Sequence, residues 1–183
     1  SMRKGFTMIE LIFVIVILGV LASVAIPRLA ATRDDAEVAK AATNLTTAVT
    51  DIAAYYTAKG SFGVATKNGN ADITVSNRTA SFSAMTNALD SDGNLKMKGE
   101  VCAQVVIPGT KYATSTADAG KLEIRFKGKD AACQALQNLE SIKTLCTSLS
   151  AVDVATKDNT GTALGSGVKN CKIQIGGSGG IAW

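Results

Sequence analysis

The stretch RKGFTMIELIFVIVILGVLASVAIP, residues 3–27, decides how the rest of the chain is read. From Phe6 to Ile26 it is apolar almost without interruption, long enough for a helix to cross the roughly 30 Å hydrocarbon core of a bilayer. One acid interrupts it, Glu10, and two cations, Arg3 and Lys4, stand just outside. An ionised carboxylate at that depth costs roughly 2.5 to 3.5 kcal/mol on insertion scales, so a chain that keeps one is expected to supply a positive partner. A secretory signal peptide would be cut behind its apolar run. Ala22-Ser23-Val24-Ala25 offers small residues there, yet the segment continues helically into Leu29 and Ala30. A plain signal anchor fits the length and leaves Glu10 unexplained. Flanking charge does not orient the span, because Arg28 and Arg33 beyond it match Arg3 and Lys4.

The helix is expected to continue past the apolar run. Val38, Ala41, Ala42, Leu45, Ala48, Val49, Ile52, Tyr55 and Tyr56 recur at spacings of three and four, the period of one helical face. Arg33, Asp34, Glu37, Lys40, Asn44, Thr47 and Asp51 take the other side. A single helix from Phe6 to Lys59 would extend about 80 Å, too long to bury itself in one small domain, with Gly60 as its stop. Gly19 and Ser23, with Ala22 beside them, give a small face that lets helices approach closely. Pro27 removes the bond to the Ser23 carbonyl, so Gly19 to Pro27 is the expected place of local unwinding when the segment leaves lipid.

Arg3-Lys4-Gly5 followed by Phe6-Thr7-Met8-Ile9-Glu10-Leu11 resembles the type III leader of type IV prepilins and type II secretion pseudopilins. The resemblance implies that a prepilin peptidase cuts between Gly5 and Phe6 and N-methylates Phe6. Glu10 then becomes the fifth mature residue, and its implied role is to pair with the Phe6 ammonium of a neighbouring subunit during assembly. Gly19 and Pro27 fall at the helix-loosening positions of pilins, and the resemblance fades beyond Lys59. The implied organisation is a leader at 1–5, an assembly half of the first helix at 6–27, an amphipathic half at 28–59 and a globular head at 60–183. Implied partners are the peptidase, other copies or related pilins, an inner-membrane platform and motor, and inner-membrane lipid before assembly. The implied location is a single-pass inner-membrane protein with a periplasmic head, and later a periplasmic or surface filament.

The cysteines Cys102, Cys133, Cys146 and Cys171 all lie in the distal half, without a C-x-x-C pair, and the chain has no histidine to complete a zinc site. Two disulfides in an oxidising compartment fit this better than a metal, and they place the head outside the cytoplasm. Four cysteines allow three pairings. The resemblance favours Cys102 with Cys133 and Cys146 with Cys171, because the second closes a segment near the C-terminus as in many type IVa pilins. The aspartate and tryptophan-glycine motif of calcium-binding pseudopilins is absent. No metal or other cofactor is expected.

The head reads as α+β. A strand is expected at Asp72–Val75, a short helix through Phe82, Met85 and Leu89, and a turn at Asp92-Gly93-Asn94. A further strand spans Val101 to Ile107 and ends at Pro108-Gly109. Lys121 to Lys127 alternates, with Leu122, Ile124 and Phe126 on a core face and Glu123 and Arg125 on a wet one. Asp130 caps a helix expected to run to Thr147, and a last strand runs from Val168 to Ile175 before the Gly176–Gly180 loop and Trp183. The fold expected is a long N-terminal helix packed on an antiparallel sheet of three to five strands, with one further helix.

The formal charge of +4 becomes +2 once Arg3 and Lys4 leave with the leader. The cations between Lys96 and Lys129 are interspersed with Glu100, Asp118, Glu123 and Asp130, so the charge pattern does not advertise DNA binding. Aromatic residues make up only 5% of the chain and do not interleave with the basic ones, leaving little for bases to stack on. Without histidine, a Ser-His-Asp or Cys-His centre is impossible, no phosphate loop opens a helix, and Asp34 with Asp35 reads as a solvated face. The expectation is a non-enzymatic filament subunit. The alternatives are a pseudopilin of a secretion or DNA-uptake system and a monomeric membrane-anchored periplasmic binding protein.

Overall fold

The structure, a computed structural model, describes residues 4–59, 66–67, 70–71, 82–107 and 121–175. The strand expected at Asp72–Val75, the stop at Gly60, Pro108-Gly109, the Gly176–Gly180 loop, Trp183 and Arg3 lie outside the described residues. The chain divides into two compact units between Glu37 and Val38.

The first unit holds the beginning of α1, a helix that runs Met8–Lys59 without a break and carries Pro27 inside it. Its large apolar side chains, from Met8 through Leu29, are exposed. In the second unit the same helix turns amphipathic. Val38, Ala41, Ala42, Leu45, Ala48, Val49 and Ile52 enter one hydrophobic core with Val105, Leu122, Ile124, Phe126, Leu136 and Ile142. Burying each of Val38, Leu45, Val49 and Ile52 contributes about 1.5 to 3 kcal/mol, so these four side chains are the main hold of the helix on the head, with the alanines allowing close approach.

A two-stranded antiparallel pair, β1 (Thr66–Lys67) and β2 (Asn70–Ala71), precedes α2, a single turn at Phe82–Met85. Phe82, Met85 and Leu89 are all buried, although the helix ends before Leu89. The main sheet has five antiparallel strands: β3 (Asn94–Met97), β4 (Glu100–Val106), β5 (Lys121–Phe126), β6 (Ser150–Ala151) and β7 (Lys169–Gln174), in the order β3-β4-β5-β7-β6. Lys98 and Gly99, both at positive φ, make the tight turn between β3 and β4. The architecture is α+β, a long helix with a small antiparallel sheet.

Two expectations are corrected. The helix from Asp130 to Thr147 is two helices, α3 (Ala131–Asn138) and α4 (Glu140–Leu145), broken at Leu139, whose backbone is extended at φ −61° and ψ 137°. At about 100° per residue a straight helix would turn Leu136 and Ile142 some 120° apart. Both are fully buried, and Cys133 and Cys146 must each reach a strand, so the break re-aims the second half toward the same core. Asp130 does cap α3, accepting from the Cys133 N–H at 3.0 Å.

The second correction concerns β5. Its polar side is not wet: Glu123 is 4% exposed and Arg125 0%. Register places Asn94, Gln104, Arg125, Asn170 and Ser150 opposite one another in a row across all five strands. The segment 152–165 covers the middle of that row. Arg125 Nη1 donates to the Lys157 carbonyl at 2.9 Å, and Asn159 Nδ2 donates to the Asp92 and Val105 carbonyls at 2.7 and 2.9 Å.

Gly93 sits at φ +79° in the turn entering β3, where an added Cβ would lie 2.6 Å from the Phe82 ring and 2.8 Å from the Val105 carbonyl oxygen. Gly93→Ala is expected to destabilise the head by about 2 to 4 kcal/mol, from overpacking plus a left-handed backbone, read as a lower thermal midpoint of the purified chain.

Candidate functional site

Lys4 to Thr7 is exposed and non-helical, so the Gly5–Phe6 peptide stands clear of α1. An added Cβ at Gly5 would meet nothing within 4 Å, and the same holds at Gly19. The folded chain therefore imposes no need for glycine at either position. Any need comes from a partner or, at Gly19, from the local freedom of the helix.

Thr7 and Glu10 form a capping box at the start of α1. The Thr7 N–H and hydroxyl donate to Glu10 Oε2 at 2.8 and 2.9 Å, and the Glu10 N–H reaches Thr7 Oγ1 at 3.4 Å. The carboxylate is thus not without partners in the single subunit: two neutral donors hold it, and among the described residues no cation forms an ion pair with it. This role was legible as Thr-x-x-Glu directly before an apolar run. Phe6 is exposed beside it.

Between Gly19 and Pro27 the helix is intact. Ser23 Oγ donates to the Val20 carbonyl at 2.7 Å, turning its polarity inward along a lipid-length surface. By length and composition α1 can cross a membrane: its most apolar 18-residue window has a mean hydropathy of 2.9, and none of it is buried.

The cysteines pair as Cys102–Cys133 and Cys146–Cys171. They lie in the head and have no part in the N-terminal constellation. The first bond joins β4 to α3, and the second joins the end of α4 to β7. Asp130 lies within 4.8 Å of the Cys102 and Cys133 sulfurs, but those sulfurs are consumed in a disulfide and the carboxylate caps α3. That leaves a helix cap in place of a ligand set.

The loop held between Cys146 and Cys171 is organised by Asp158. Its Oδ1 accepts from the Thr160 hydroxyl and from the Thr160 and Thr162 N–H groups at 2.6 to 2.9 Å, and its Oδ2 lies 3.3 Å from Lys127 Nζ. Burial raises this carboxyl, and those hydrogen bonds outweigh it, leaving Asp158 below the usual carboxylate range. A lowered value stabilises the loop fully above the unfolded pKa near 3.9 and is lost as pH falls through the folded value. Protection of the Thr160 and Thr162 amides, measured against their intrinsic exchange rates, is expected to fall below about pH 4, and Asp158→Asn should flatten that dependence.

No curated protein and no solved structure matches the chain. Residues 1–26 match the family described as the prokaryotic N-terminal methylation motif. The match covers Arg3 and Lys4, the Gly5–Phe6 junction, Glu10 and the apolar first turns of α1. It supports a type IV pilin-like or pseudopilin precursor, implies processing by a prepilin peptidase and pilin-like assembly, and fits membrane anchoring through α1. Over residues 1–26 the chain therefore carries the leader signature of type IV pilins and pseudopilins.

Proposed function

We propose that this chain is a structural, non-catalytic subunit of a type IV pilus-like filament. It waits in the inner membrane by its apolar helix with the head in the periplasm, and it is cut after Gly5 and methylated at Phe6. An inner-membrane platform and motor then extract it and pack it helix to helix with further copies. The single observation that carries the reading is Glu10, a carboxylate inside the apolar, exposed first half of α1, five residues past the glycine of a methylation motif. In lipid its charge has, among the described residues, the Thr7 donors, and in a polymer it meets the Phe6 ammonium of an adjacent copy. Two disulfides and the missing calcium motif favour an extended pilus over a secretion or DNA-uptake pseudopilus.

The test is the intact mass of the chain recovered from sheared surface filaments of a cell expressing it with a prepilin peptidase. A mass lacking residues 1–5 and carrying one added methyl group is expected. A chain that keeps its first five residues, or that never leaves the membrane fraction as polymer, would overturn the reading.

A further inference from the structure

β6 pairs with β7 at Lys169 and Asn170 and stops there, so the sheet edge steps back at Cys171. A cavity of about 380 Å³ lies at the step, lined by Ser148, Ser150, Ala151, Asn170, Cys171 and Lys172. We propose that this cavity is a thiol–disulfide exchange site, where a small thiol opens Cys146–Cys171 in the folded head while Cys102–Cys133 stays closed. The inference goes beyond the filament reading and does not depend on it.

Two differences between the bonds carry it. Exchange begins when a thiolate reaches a sulfur, so access decides which bond reacts. Cys102 and Cys133 are both 0% exposed, Cys102 lies on β4 between β3 and β5, and Gly128 at φ +89° sits so close that an added Cβ would stand 2.5 Å from the Cys133 sulfur. That bond is roofed over. Cys171 instead lies on the lining of an open cavity beside two exposed serines, and Lys172 in the same lining places a cation where an anionic thiolate arrives. The second difference is what opening would release. Cys146–Cys171 closes the segment that carries the 152–165 cover, and that cover has its own hold on the sheet through Arg125 with the Lys157 carbonyl, Asn159, and Lys127 with Asp158. The head can therefore lose this bond and keep its sheet. In the exchange the thiolate attacks the Cys171 sulfur, a mixed disulfide forms there, and Cys146 leaves as a thiolate that takes a proton from water. A second thiol then displaces the Cys171 thiolate and ends as the oxidised disulfide of the reagent, having passed two electrons to the protein.

The test treats the full chain in detergent with dithiothreitol, traps free thiols by alkylation and locates them by peptide mass spectrometry. Cys146 and Cys171 are expected to be alkylated about tenfold faster or more than Cys102 and Cys133, under conditions where the head still melts cooperatively. Ser148→Trp fills the cavity from its rim and should slow that step by about tenfold, while Ser141→Trp, away from the cavity, should leave the rate unchanged. A second measurement does not rely on either variant: glutathione, a monothiol, should be caught as a mixed disulfide on Cys171 with Cys146 free. Both bonds opening at one rate, Cys102–Cys133 opening first, no opening before the head melts, adducts on Cys146, or an unchanged rate in Ser148→Trp would each overturn the proposal.

Discussion

Glu10→Ala is expected to abolish filaments while leaving the head as stable as before. Removing one partner of a desolvated ion pair costs about 3 to 5 kcal/mol, two to three or more decades in an association constant at each subunit contact. The bilayer works in the same direction, because a neutral residue at position 10 is cheaper to keep in hydrocarbon, so the variant is held more firmly in lipid. The core begins at Val38, far along α1, so the thermal midpoint of the detergent-solubilised chain should not move. Two companions separate charge from capping. Glu10→Gln keeps an oxygen for the Thr7 donors and loses the charge, so it should fail almost as completely. Thr7→Val loses the hydroxyl of the box and keeps the charge, so it should assemble at reduced yield. Filaments from Glu10→Gln at normal yield would sink the ion-pair account.

The second large effect lies in the head. Arg125→Ala is expected to destabilise it by about 3 to 5 kcal/mol, because it strips the cation from a carboxylate that stays buried. Glu123 Oε1 accepts from Arg125 Nε at 2.8 Å and from Asn170 Nδ2 at 2.7 Å, and its Oε2 accepts from Arg125 Nη2 at 3.2 Å. The same arginine pins the covering loop through the Lys157 carbonyl. The thermal midpoint should fall by roughly 10 °C or more. Replacing both partners, Glu123→Leu with Arg125→Met, should recover most of the loss, since an apolar pair in that space avoids desolvating two charges. If the double variant melts no higher than the single, the cost lies in packing or in the loop and the electrostatic reading of this pair fails.

Much of this was legible from residues alone. The run from Phe6 to Ile26 and the spacing of Val38, Ala41, Leu45, Ala48 and Ile52 specify an apolar and then amphipathic helix, because one period governs the whole of α1. Alternation in Lys121 to Lys127 specified a strand with two unlike faces. It could not say that the polar face is covered, because the cover is residues 152–165, more than two dozen positions away, and no local pattern encodes that meeting. The break at Leu139 was hidden for a related reason. Local residue types between Asp130 and Thr147 all tolerate helix, and only the need to bury Leu136 and Ile142 together while two cysteines reach two strands forces the kink. At the N-terminus Glu10 drew notice as a charge, and its part as a cap with Thr7 passed beneath it, although Thr-x-x-Glu is a local signal.

The two sulfur links have a mechanical meaning. Cys102 belongs to β4 and Cys171 to β7, the strands on either side of β5, and each is tied to one end of the α3–α4 pair. Tension drawn along the backbone is short-circuited past residues 103–132 and 147–170, hiding roughly 180 Å of contour that would otherwise pay out at about 3.3 to 3.6 Å per residue. A tugged head can yield at its beginning and along its unlinked stretches, but its laced portion cannot spool open, so a fibre built from such units would stay short under load.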